Sequence, residues 1–180
     1  MATLNGTKTE KNLMEAFVVE SQARNKYTYF ASKAKDEGYE QVASIFEETA
    51  NNEKVHAMIW LKRLHGRNAP TTIDNLKAAA TGENGEWDGM YKRMAAEARE
   101  EGFKDIARLF EGVANIEKAH EERFYKLLKN FESDAVFRKK EKSDWICRNC
   151  GQIVNSERVP KKCPICAHSR AYFELRALNY

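Results

Sequence analysis

Glu53-Lys54-Val55-His56 and Glu117-Lys118-Ala119-His120 lie 64 residues apart and share the pattern Glu-x-x-His. Glu and His at i and i+3 fall on one helical face, so each tetrad can aim a carboxylate and an imidazole at one point. Two such helices, joined by carboxylates from two more, make the ligand set of a di-iron or di-manganese centre inside a four-helix bundle. A third acid, Glu20, interrupts the apolar stripe Leu13, Phe17, Ala23, Tyr27, Phe30, Ala34. An unpaired carboxylate on such a face is costly, and a cation makes the cluster tolerable. Glu83 and Glu86 add a further i, i+3 pair, flanked by Gly82 and Gly85. Glycines there suit a close backbone approach or a local irregularity of the helix. Five carboxylates and two imidazoles favour iron or manganese over a soft-ligand metal.

A second constellation lies near the C-terminus. Cys147 and Cys150 are followed, after twelve intervening residues, by Cys163 and Cys166. Two Cys-x-x-Cys knuckles at this separation form a tetrahedral four-thiolate site for zinc or a single iron. With zinc, such a ribbon needs no task beyond folding.

The elements that must position these groups read as helices. Periodic stripes and glycine stops predict helix one from about Thr9, its N-cap, to Glu37, and helix two from about Tyr39 to His65. The loop 67–71 follows, then a helical stretch from Ile73 to Glu101 and a last helix from Phe103 to Phe131. Comparing 37–56 with 101–120 gives ten identities in twenty positions, so a duplicated helical hairpin is expected. Residues 132–144 are charged and aperiodic and read as a linker, and the remaining segment is too short to fold without a metal. His65, before the Gly66 stop, and His168, after the second knuckle, read as structural.

The composition excludes several classes. Among 180 residues, 32% are charged and 42% apolar, with three prolines and nine glycines, as in helix-rich globular proteins. A net charge of +3 with both signs interspersed points to neither nucleic acid nor a membrane surface. No apolar segment opens the chain and none approaches a membrane span, so the reading is cytoplasmic.

From end to end the chain resembles a rubrerythrin. The resemblance rests on Glu20-Ser21-Gln22-Ala23-Arg24-Asn25, Gly82-Glu83-x-x-Glu86, both Glu-x-x-His units and the knuckle pair. It implies an all-α, ferritin-like four-helix bundle over 1–140 and a rubredoxin-like domain with one thiolate-bound iron over 141–180. It further implies a non-haem di-iron peroxidase that reduces hydrogen peroxide with NADH-linked electrons. These would arrive through a carrier such as a rubredoxin or its reductase. Glu53 and Glu117 would bridge two irons, Glu20 would bind the first, and Glu83 and His120 the second. Glu86 and His56 would alternate on the first iron with redox state. Tyr27 and Tyr91 would hydrogen-bond the carboxylates, and the subunits would pair at least as a homodimer. Lys92 departs from the family pattern, where proline is common, at a position past the ligands. Ferroxidase chemistry with oxygen is the alternative activity.

Overall fold

The computed structural model describes residues 3–66 and 69–179, so Arg67 and Asn68 of the expected loop lie outside the described residues. The chain divides into two compact units, 1–70 and 71–180.

The first unit is a helical hairpin of α1 (Lys8–Asp36) and α2 (Glu40–His65). Its N-cap is Thr7 rather than Thr9: the Thr7 hydroxyl accepts from the Glu10 amide, and the Glu10 carboxylate accepts from the Gly6 amide. Glu10 stands three residues after Thr7 and closes a reciprocal cap that Asn12, three after Thr9, does not make. α1 ends through Gly38, at φ +84°, with the Tyr39 amide donating to the Ala34 carbonyl at 2.8 Å. The left-handed conformation required there is one glycine adopts without a Cβ clash.

The buried residues of this hairpin are alanines. Ala31 and Ala34 on α1 and Ala43, Ala50 and Ala57 on α2 are buried, whereas Phe17, Glu20 and Tyr27 of the expected stripe are only half-buried and Phe30 is exposed. Alanine at every seventh position of α2 returns to one seam and lets the two backbones come close.

The second unit holds α3 (Thr72–Asn84), a π-helical segment (Gly85–Met90), α4 (Tyr91–Glu100) and α5 (Lys104–Glu132). α3 begins at a complete capping box of Thr71 and Asp74. The turn into α5 repeats the first hairpin: Gly102 has φ +91°, and the Phe103 amide donates to the Ala98 carbonyl at 2.7 Å.

Three antiparallel strands follow in the order β2-β1-β3: β1 (Arg138–Cys147), β2 (Ile153–Arg158) and β3 (Phe173–Leu175). The segment 132–144 is therefore not all linker. Its charged residues hide a strand because the first half of β1 stays largely exposed and carries no apolar alternation. Trp145, Cys147, Val159, Cys163 and Phe173 form the small core, while Tyr172 remains exposed. Among the described residues no helix is long and apolar enough to cross a membrane.

Candidate metal centres

Each helical unit gathers one carboxylate–histidine group. Glu20 from α1 meets Glu53 and His56 from α2, and Glu83 from α3 meets Glu117 and His120 from α5. Within each trio the ligand atoms lie within 4.8 Å of one another. The two groups are near copies. His56 Nδ1 stands 2.8 Å from Glu53 Oε2 and 3.8 Å from Glu20; His120 Nδ1 stands 2.7 Å from Glu117 Oε2 and 3.8 Å from Glu83.

Crowding shows in the acid–base behaviour. Burial raises the Glu20 carboxyl above its ordinary value, and the neighbouring Glu53 adds to the rise, while His56 and the Trp60 indole oppose it. Burial likewise raises Glu83, helped by Glu117 and Glu86 and opposed by His120. Carboxylates that resist ionisation beside one another, with an imidazole at hand, fit a cation that would neutralise them.

Aromatic neighbours repeat as well. Tyr27 packs 6.2 Å from Phe46, and Tyr91 6.1 Å from Phe110. Glu20 and Tyr27 are seven residues apart, yet Glu83 and Tyr91 are eight apart. The π-helical segment lies between the latter pair and absorbs the additional residue. It also carries Glu86, half-buried and close enough to Glu83 to oppose its ionisation, though outside the cluster of three. The irregularity expected from Gly82 and Gly85 is this turn. Lys92, just beyond it, bonds Asp88 and lies 5.1 Å from the Trp87 ring centroid.

The four thiols form the other centre. Cys147 Sγ lies 3.8 Å from Cys166 Sγ, and Cys150 Sγ 3.6 Å from Cys163 Sγ. A tetrahedron with metal–sulfur bonds of about 2.3 Å has edges of about 3.8 Å, so the thiols already stand at ligand spacing. The knuckles fold alike: the Gly151 amide donates to the Cys147 carbonyl and the Ala167 amide to the Cys163 carbonyl. Gly151 and Ala167 both take left-handed φ, +78° and +60°. The His168 backbone amide holds the Cys166 thiol down at about 6. At Cys150 the Gln152 amide also lowers the thiol, but the Cys166 thiol, desolvation and the other thiols outweigh it and push it up to about 12. His168 packs on Tyr172 at 4.5 Å rather than entering the thiol group, and His65 lies in the last turn of α2.

Comparison with known proteins then decides the family. The family model described as rubrerythrin matches residues 11–72 and 74–148, and that of the rubrerythrin rubredoxin-like domain matches 145–174. The chain belongs to the rubrerythrin family. It is 48% identical to a rubrerythrin of Porphyromonas gingivalis, covering 99% of this chain and 94% of that one. Rubrerythrin-1 of Clostridium acetobutylicum is 46% identical with both chains fully covered, and a rubrerythrin of Nitratidesulfovibrio vulgaris is 41% identical, again over both full lengths. The family fold is accordingly helical and ferritin-like with a C-terminal rubredoxin-like domain, and the family's metal is iron.

Sequence reasoning missed Trp60, whose buried N–H has no partner. Its place one turn beyond His56 on α2 is visible in the sequence, but the lack of a partner is not.

Proposed function

We propose that this chain is a non-haem di-iron peroxidase that reduces hydrogen peroxide to water. The observation that supports it best is the presence, in one chain, of two matching carboxylate–histidine trios and a four-thiolate group at metal spacing. Glu20, Glu53, Glu83, Glu117 and His120 would hold the two irons of the helical site. His56 and Glu86 would be alternative ligands there, used in different redox states.

Iron held there supplies Lewis acidity and two electrons per pair, matching a peroxide that takes up two electrons and two protons and leaves as two waters. The chain's residues do the rest. Glu20 and Glu83, each raised by burial, hold protons more readily than an exposed carboxylate in the metal-free site and would give them up on binding iron. Tyr27 and Tyr91 would brace the carboxylates by hydrogen bonds once iron is held. Cys147, Cys150, Cys163 and Cys166 would hold a single iron, which would supply one-electron transfer from a reduced carrier such as a rubredoxin or its reductase in an NADH-linked chain. Zinc fits the same four thiolates but carries no electrons.

Exposed apolar residues on both units, among them Val42, Ile45, Leu109 and Ile116, support association with a second copy. Thiols arranged as metal ligands suit a reducing cytoplasm.

The test uses iron-loaded full chain, reduced without oxygen and mixed with peroxide or with oxygen while the visible absorption of the thiolate iron is followed. Faster re-oxidation by peroxide is expected. Faster re-oxidation by oxygen would favour the ferroxidase reading, and no visible chromophore after iron loading would end the electron-relay role.

A further inference from the structure

Three tryptophans are present, and two have partners for their indole N–H. Trp87 Nε1 donates to Glu121 Oε2 at 2.6 Å, and Trp145 Nε1 donates to the Ser156 carbonyl at 2.9 Å. Trp60 Nε1 is buried and makes no hydrogen bond. A buried donor without an acceptor is costly, and each instance calls for an explanation.

The position of Trp60 supplies one. It lies four residues after His56 and seven after Glu53, on the α2 face that carries the trio. His56, one helical turn before Trp60, has its Nδ1 3.8 Å from Glu20 Oε1, which sets the Glu20 carboxylate on the facing helix beside that turn. The internal repeat sharpens the point. Position 60 corresponds at the 64-residue offset to Phe124, which has no N–H, so the donor belongs to one trio only. The other trio has the additional carboxylate Glu86 nearby instead.

We propose that Trp60 is a positioning residue for the metal centre, its indole N–H donating to the Glu20 carboxylate oxygen that the metal leaves free. Metal-bound carboxylates are commonly oriented by such outer hydrogen bonds, which fix the ligand and tune its basicity. This role rests on the two-metal reading above and adds a division of labour to it. On that reading Glu20 would be a constant ligand, while His56 and Glu86 would be alternative ones. A ligand that must stay while others swap is the one that gains most from being held.

The test compares three full-length proteins: the parent, Trp60→Phe, and a protein with benzothienylalanine placed at position 60. The last replaces the N–H by sulfur within nearly the same outline, so it separates hydrogen bonding from packing even if phenylalanine disturbs the fold. With the thiolate site first filled by zinc, cobalt(II) is titrated into the helical site and followed by its visible bands, and carboxylate stretches are compared by infrared difference spectra. Affinity about 10- to 100-fold weaker in the benzothienylalanine protein, with a shifted carboxylate band, is expected. Parent-like affinity and bands in that protein would overturn the role of Trp60 whatever phenylalanine does. No cobalt uptake at the helical carboxylates of the parent would instead overturn the two-metal reading, and this role with it.

Discussion

Widening the alanine seam of the first hairpin should break its metal trio without unfolding the protein. Ala43, Ala50 and Ala57 recur at seven-residue steps on α2 and are 0%, 5% and 7% exposed. Ala50 lies three residues before Glu53, so a larger side chain there pushes α1 from α2 beside the site. Ala50→Leu adds three carbons to a filled seam, which costs about 1–3 kcal/mol. For a chain of this length that lowers Tm by roughly 2–12 °C. The effect on the site is sharper. Two donors on one metal, each bonded at about 2.0–2.2 Å, can stand no more than about 4 Å apart. Glu20 and His56, on opposite helices, stand 3.8 Å apart, already close to that limit. A splay of about 1 Å would put one of them out of reach, and cobalt(II) affinity at the helical site should fall at least about 10-fold. Ala50→Gly is the control: it costs about 1 kcal/mol in helix propensity and leaves the helices together. Thermal unfolding by circular dichroism and cobalt titration of both variants make the comparison. Parent-like cobalt affinity in Ala50→Leu, alongside a lowered Tm, would refute the link between the seam and the trio.

Stripping the metal from the four-thiolate site should dissolve the C-terminal sheet and leave the helices in place. Trp145, 1% exposed, then shifts its emission to the red while the helical signal persists; unchanged Trp145 emission would contradict a metal-dependent core. Replacing His56 or Glu86 by alanine should impair peroxide turnover with helicity retained, and undiminished turnover in the double variant would remove ligand exchange from the mechanism. In metal-free protein, Glu20 and Glu83 have folded values raised by burial above 4.5. Their contribution to stability is thus fully present below about pH 4.5 and is lost as pH rises through the raised values. Glu20→Gln should flatten that fall in Tm, and an unaltered pH profile would argue against the raised carboxyl. Metal loading should reverse the trend, because metal replaces the protons.

The local chemistry was legible in the sequence because it depends on short spacings. Glu and His three apart share a helical face wherever the helix lies, and a Cys-x-x-Cys turn brings its two sulfurs together by itself. Gly38, Gly66 and Gly102 mark helix ends through their own backbone freedom, and all three have positive φ. The tertiary structure decided what depends on partners distant in sequence. β1 became a strand because β2 and β3 pair with it, despite a charged first half that resembles a linker. The helices meet along alanines rather than along the large apolar stripe, since close approach of two backbones is settled between helices and not within one. Glu20 and Glu83 were single acids in sequence, and only packing set each of them 3.8 Å from an imidazole on another helix. The unpartnered N–H of Trp60 also had to come from the packing, because whether a buried donor finds an acceptor depends on everything that surrounds it.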